Sequence, residues 1–513
     1  MVERLLQLAR HSAVYGIGSV ASKVLAILLL PIYVRVLSTV DYGAVETILV
    51  LDLLLAALVK LGLQNSMMRF YFDEERAGRG RNVTSMVIWV TGLLALLATL
   101  AMVGFADELA ARLLGDGADE LMHGGRLLVM IGAAHLTSTV LYGSLVATFR
   151  LEHRPLAFTV VSLANVLLTA GFTLVLLLVV GWRAEGLLLG NMLGTAVLIP
   201  VLVVLQWRFV RPSFDRGLLG QMLRYGVPLM PVALSMQGLR VVDRLLLNHR
   251  FVPAGEGLAA VGLYSVGVRF SQVVILVITA LQLSWQPFAY AIRDDDEARR
   301  TYAAVMAAYL GLVGWIVASV SMLADPLVRL VTVPEFYDAA SVVPLLSLAA
   351  MFFGAYFIAA IGAGRAKRTN YNLLVALAAF VVSVNLNWFL IPHWGVMGAG
   401  AAAVGANLAL AVGMLIRSQQ VFPIPYLWRR NLVALAATIT FVGCSYLLPT
   451  GTAAGVLLGI GASISFPLVL MALGWARPGE VRSGIAALRQ RRRRTPPPTE
   501  TEPTDEQDPD RDR

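Results

Sequence analysis

The stretch YGVPLMPVALSMQGLRVVDRLLLN, Tyr225–Asn248, is long enough and mostly apolar enough to cross a bilayer, yet Arg240, Asp243 and Arg244 put three formal charges into about a turn and a half of helix. On insertion scales one arginine or aspartate at the centre of a spanning helix costs about 2.5–3.5 kcal/mol. Such charges therefore face a protein interior or a water-filled cavity rather than lipid. The i,i+3 spacing lets Arg240 pair with Asp243, which lowers the cost and leaves Arg244 as surplus cation.

The rest of the chain sets this helix among many like it. Of 513 residues 58% are hydrophobic and 14% charged, against roughly 25% charged in soluble domains. The expectation is an all-α polytopic membrane protein. Apolar runs lie near 12–34, 42–63, 83–105, 127–148, 156–180, 185–206, 225–248, 258–290, 302–324, 340–362, 371–391, 396–416, 431–448 and 453–475, about fourteen spans. The 258–290 run is long and is expected to tilt or to break near Pro287. The first run is too long for a cleavable signal peptide. The lone cysteine, Cys444, rules out a disulfide framework.

Loop charges give an orientation. With an inside amino terminus, Arg76, Arg79 and Arg81, then Arg208, Arg211 and Arg216, then Arg293, Arg299 and Arg300, then Arg365, Lys367 and Arg368 all fall on one side, and the acidic DELAARLLGDGADE (107–120) falls on the other. The positive-inside bias predicts both termini cytoplasmic, and the expected location is a bacterial cytoplasmic (inner) membrane. The net charge of +9 reads as this orientation and not as nucleic-acid binding. The ALRQRRRR segment of the tail is expected on the anionic inner leaflet, and the Pro-rich acidic end is expected to be disordered.

Landmarks recur at an offset of 210 to 212 residues. Tyr15-Gly16 opens the first span and Tyr225-Gly226 the seventh, while Trp182 and Gly186 of GWRAEGLLLGNMLG (181–194) match Trp394 and Gly398 of HWGVMGAGAAAVGAN (393–407). Two pseudo-symmetric six-helix bundles around a central cavity follow, over 1–210 and 211–420, with two additional spans in 421–476 and a cytoplasmic tail from 477 to 513.

Polar residues keep to faces. Ser12, Tyr15, Ser19, Ser22 and Lys23 share one side of the first span, and Gln237, Arg240, Arg244 and Asn248 one side of the seventh. Ser265, Arg269, Gln272, Thr279 and Gln286 form a stripe along the eighth. Surplus cation on these faces suits a hydrated cavity made for an anion, so Lys23, Gln237, Arg240, Arg244, Arg269 and Gln272 are the candidate substrate-binding residues. The competing reading is an internal salt-bridge cluster that locks helix packing. Glu46, Asp52 and Asp243 are candidate ion-coupling groups, or partners for nearby cations. His135 reads as a helix-contact residue. There is no GxxxxGK[ST], no carboxylate pair suited to glycoside chemistry, and no long outside loop for a catalytic domain. No enzymatic activity, metal or cofactor is expected.

Five stretches in order carry a resemblance: LPIYVRVLSTVDYGAVETI (30–48), LGLQNSMMRFYFDE (61–74), VDRLLL (242–247), AVGLYSVGVRFS (260–271) and WGVMGAGAAA (394–403). They resemble the polysaccharide flippases of the multidrug/oligosaccharidyl-lipid/polysaccharide exporter superfamily, nearest to the Wzx-type group, over roughly residues 5–475. The resemblance implies two six-helix bundles in a V working by alternating access. The implied substrate is an undecaprenyl-pyrophosphate-linked oligosaccharide moved from the inner to the outer leaflet. Arg240 and Arg244 would then help hold the pyrophosphate, with Asp243 orienting one of them. The expected partners are the lipid-linked oligosaccharide, membrane lipids, and the polymerase and glycosyltransferases of the same pathway. The alternatives are a lipid II flippase, a multidrug exporter of the same fold, and a membrane polymerase or ligase.

Overall fold

The computed structural model describes residues 24–475 except 26, 77, 251–255 and 369; Lys23, the Ser12–Ser22 face and the tail from Arg477 lie outside the described residues. Within them the chain is helical, with no strand. The first half runs α1 (Ile27–Val36), α2 (Thr39–Val59), α3 (Leu63–Arg76), α4 (Gly80–Gly104), α5 (Ala106–Leu113), α6 (Gly125–Leu151), α7 (Pro155–Val175), α8 (Ala184–Ala196), α9 (Leu198–Leu205) and α10 (Trp207–Val210). The second runs α11 (Arg216–Gly226), α12 (Met230–Arg250), α13 (Gly257–Ala291), α14 (Asp295–Met322), α15 (Ala324–Val331), α16 (Val343–Arg365) and α17 (Asn370–Val421), followed by α18 (Trp428–Ser445) and α19 (Ala453–Ala472).

Among the described residues ten helices are long and apolar enough to cross a membrane, so the protein is a multi-pass helical membrane protein. The expected spans near 371–391 and 396–416 both lie in α17, and those near 225–248 and 431–448 fall on helices that are shorter or more polar. In α12 the reason is Arg240, Asp243 and Arg244; α18 opens on Trp428, Arg429, Arg430 and Asn431. Short helices off the main spans, α3, α5, α11 and α15, were not expected from apolar runs; α3 is amphipathic and buries Leu63, Ser66, Met67 and Tyr71.

Two hairpins share a construction. Gly190 and Gly194 of α8 lie so close to α7 that a Cβ on them would come within 2.5 and 2.4 Å of the Cα atoms of Thr173 and Thr169. In α17 the chain reverses at Gly395 (φ 52°, ψ −127°), a conformation open to glycine and strained for other residues. Gly398 then faces Leu390, Gly405 faces Leu386 and Gly413 faces Val375, the register of two antiparallel helices. These turns sit at the landmarks Trp182-Gly186 and Trp394-Gly398.

The break expected near Pro287 is not formed. α13 is one continuous helix of 35 residues with Pro287 inside it, about 52 Å long against a bilayer core of about 30 Å. Pro287 sits close to the helix end, where a lost backbone bond disrupts least.

The two parts of the chain meet most closely where α2 crosses the start of α13. A Cβ on Gly43 would lie 1.8 Å from the Leu258 carbonyl oxygen, and one on Gly262 2.2 Å from that of Thr39, so the helix backbones touch. Thr39 donates its N–H (2.7 Å) and its hydroxyl (2.9 Å) to Glu335, Arg183 pairs with Asp41 at 2.6 Å, and the Asn248 amide donates to the Leu113 carbonyl. An apolar core around Leu30, Tyr42, Ile48, Leu128, Leu258, Phe270 and Phe336 joins both parts at this end. By the loop charges this is the end expected to face outward. At the opposite end α3 packs on α11: Ser66 donates to the Met222 carbonyl at 2.8 Å, and the Arg69 guanidinium lies 4.6 Å over the Tyr225 ring.

Candidate functional site: a charged seam at mid-helix

Glu46 sits in the middle of α2, buried, where α12 and α13 cross it. Its two carboxylate oxygens take one arginine each: Oε1 accepts from Arg269 Nη2 at 2.7 Å and Oε2 lies 3.2 Å from Arg244 Nη1. Arg269 Nε also donates to the Tyr42 hydroxyl at 3.3 Å. Asp243 is buried and does not meet Arg240. Its Oδ2 accepts from the Tyr264 hydroxyl and its Oδ1 from the Arg244 backbone N–H at 2.9 Å. The i,i+3 pairing expected from the sequence is therefore replaced by contacts that cross to other helices. Arg240 is exposed, with its guanidinium 5.4 Å over the Phe353 ring.

Arg244 and Arg269 are thus bound to a single anion, Glu46, with Asp243 beside Arg244 and Arg240 apart from them over Phe353. A carboxylate between two guanidiniums offsets much of the desolvation of all three groups, because each charge keeps an opposite partner at contact distance. Gln237 is half-buried on the same helix as Arg240, and Gln272 is half-buried one turn from Arg269, its Oε1 without a hydrogen-bond partner among the described residues.

Along the α13 stripe exposure rises steadily: Ser265 is buried, Arg269, Gln272 and Thr279 are half-buried, and Gln286 is exposed. The stripe is covered at the end where α2 packs on α13 and uncovered at the other. Beside Glu46 and Arg269 a cavity of about 260 Å³ is lined by Tyr33, Tyr42, Asn165 and Asn191, among others. It is large enough for ions and water and too small for an oligosaccharide. A wider hollow of about 600 Å³ lies away from the seam, between the 324–344 and 445–456 segments.

Asp52, one and a half turns past Glu46, is apart from the arginines. Its Oδ2 lies 2.8 Å from His135 Nδ1 on α6, and Thr139 Oγ1 stands 3.3 Å from the other ring nitrogen. His135 is a helix contact, as expected, and its partner is one that sequence spacing did not supply.

Arranged in this way, long apolar helices around a buried charged seam define a membrane protein with the fold of alternating-access transporters. A structure of the lipid II flippase MurJ in an inward closed conformation matches with a TM-score of 0.65 at 14% identity, over 90% of this chain and 97% of that one. A multidrug resistance MATE family transporter of the MOP superfamily matches in its outward-facing conformation (TM-score 0.58, 18% identity, 80% and 94% covered) and in its inward-facing conformation (0.58, 17%, 81% and 93%). No curated protein sequence matches the chain. Residues 8–288 match the family described as polysaccharide biosynthesis protein, and the chain belongs to that family.

Proposed function

We propose that the protein is a flippase that carries an undecaprenyl-pyrophosphate-linked oligosaccharide from the inner to the outer leaflet of a bacterial cytoplasmic membrane, and that it is not an enzyme. The observation that carries this reading is the seam: Arg244 and Arg269 on the single carboxylate of Glu46, with Arg240 as further cation on the same helix as Arg244, in a chain of the polysaccharide biosynthesis family. A sugar head and a diphosphate do not enter an apolar core unaided. A cleft with cationic surplus replaces their hydration, while the polyprenyl tail stays in lipid. Arg240, which has no carboxylate partner among the described residues, is placed to meet the diphosphate first. Arg244 and Arg269 can exchange part of their hold on Glu46 for phosphate oxygens, and guanidinium geometry suits that exchange better than ammonium.

The seam favours an anion over the cations that a multidrug exporter would take. It does not separate one lipid-linked diphosphate from another, so the lipid II flippase remains the second reading, supported by the MurJ likeness. Substrate tests divide them: loss of the chain should abolish surface polysaccharide and leave peptidoglycan precursors correctly distributed. Orientation is tested by reporter fusions. Those after Arg211, Arg299 and Arg430 are expected in the cytoplasm, those near Asp116 and Pro334 outside, and an outside signal at Arg299 would overturn the span order.

A further inference from the structure

We propose that the wide hollow at the expected outer end is a second site, one that docks the saccharide of a lipid-linked sugar held in the outer leaflet. That origin of the sugar rests on the flippase reading, whereas the site stands on its own geometry. The hollow, about 600 Å³, lies between α15, the short helical segment Pro334–Ser341 and the connection from α18 to α19. Its size suits a compact organic ligand, and it has more than twice the volume of the cavity beside Glu46. Two ties fix its walls. Asp325 on α15 accepts from Arg329 Nε at 2.8 Å on one carboxylate oxygen and from the Gly451 N–H at 2.8 Å on the other. Gly451 is left-handed (φ 67°), and a Cβ on it would lie 3.4 Å from the Arg329 guanidinium carbon, so glycine lets the connection close onto α15. The second tie runs from the Tyr446 hydroxyl, which donates to the Ser341 carbonyl at 2.9 Å.

The groups left over around the hollow point to the ligand. Arg329 spends Nε on Asp325 and lies 4.5 Å over the Tyr337 ring, which leaves its terminal nitrogens without a hydrogen bond among the described residues. Asp338 is exposed, and its carboxylate has no partner among the described residues. The Ser321 hydroxyl in the wall, 2% exposed, also lacks one, and buried polar groups ordinarily have a partner. Free donors and a free acceptor thus line one space with the rings of Tyr337 and Tyr446. Arg329 opposes an ammonium group and Asp338 opposes a phosphate. The charged lining residues, Asp325, Asp338 and Arg329, carry a net charge of −1, opposite in sign to the surplus of the seam. Hydroxyl groups satisfy both Arg329 and Asp338, because each can donate and accept. Tyrosine presents an apolar ring face to the C–H face of a sugar and a polar tip to water.

The rim supplies the lipid anchor. Leu330 lines the hollow and Leu447 stands between its lining residues Tyr446 and Leu448; they are 77% and 82% exposed. α19, whose first residues also line the hollow, is long and apolar enough to cross a membrane. Leucines this bare beside a spanning helix lie against lipid. The hollow therefore sits at the bilayer surface, where a saccharide is in water while its polyprenyl chain stays in the outer leaflet.

The test is photo-crosslinking of the full chain in cells that make the polysaccharide. The photoreactive residue p-benzoylphenylalanine is placed, one position at a time, at Thr450 in the hollow, at Gln286 at the exposed end of the α13 stripe, and at Leu457 on the exposed face of α19. After irradiation the purified protein is analysed by mass spectrometry for adducts that carry glycan, so the sugars need not be known beforehand. The expected result is a glycan adduct at Thr450 severalfold above that at Leu457. Asp338→Ala removes an exposed side chain with no partner among the described residues, so it should keep the parental yield and lower the Thr450 adduct severalfold. Glycan at Gln286 and none at Thr450 overturns the outer site and leaves the flippase reading standing. Glycan at neither position counts against both. A Thr450 adduct of phospholipid or protein alone overturns the proposal, as does a Thr450 glycan adduct that is unchanged in well-folded Asp338→Ala.

Discussion

Glu46 and Asp52 lie on the same helix, six residues apart, and both are buried, yet their surroundings answer the cost of a buried carboxylate in opposite ways. Glu46 is locked by permanent cations on both oxygens, from two helices of the other half of the chain. Asp52 has one neutralisable partner, from its own half, and a bare second oxygen. The first arrangement ties halves together and holds a fixed charge balance. The second stays within the first part of the chain and leaves one carboxylate oxygen without a hydrogen-bond partner among the described residues.

The comparison breaks most severely at Glu46. Glu46→Gln leaves Arg244 and Arg269 without their anion, and breaking a buried ion pair in this way costs about 3–5 kcal/mol. The yield of folded protein by fluorescence size-exclusion should collapse. If yield is normal, water already covers the guanidiniums and the seam is not a lock. Next comes the contact beside it: Gly43→Ala puts a methyl group onto the Leu258 carbonyl. Overpacking of this kind costs about 1–3 kcal/mol, and the yield of folded protein should fall, though less than in Glu46→Gln. Arg240→Ala should fold at parental yield, because that side chain is exposed and bound to no carboxylate among the described residues, while surface-polysaccharide output falls severalfold. The smallest stability effect belongs to Asp52→Asn. The amide keeps a contact to His135 and removes an anion with one oxygen unpartnered among the described residues, so yield should stay within the scatter of the parent.

Much of this was legible in the sequence. Apolar run lengths and loop charges pointed to a polytopic helical fold, and the glycine and tryptophan landmarks marked the two hairpins. The stripe Ser265–Gln286 was readable because helical periodicity alone puts those residues on one face. What spacing could not supply was partner choice. Arg240 and Asp243 had the right separation to pair, but Asp243 faces Tyr264, 21 residues away, and Arg269 meets Glu46 across 223 residues. Which turn of one helix lies opposite which turn of another depends on close backbone approach, here at Gly43 and Gly262, and i,i+3 rules do not extend between helices. The Asp52–His135 pair, 83 residues apart, escaped for the same reason. A histidine beside threonines inside an apolar span was the available signal.

The central claim is that the seam moves a lipid-linked diphosphate sugar. Its most direct test is the purified full chain in sealed vesicles loaded on one leaflet with a polyprenyl-diphosphate-linked oligosaccharide, with the leaflet distribution read by an impermeant glycosidase. The account predicts transfer well above protein-free vesicles, reduced severalfold by Arg240→Ala. No transfer of the lipid-linked sugar by well-folded protein, together with uptake of an organic cation into the same vesicles, would contradict it.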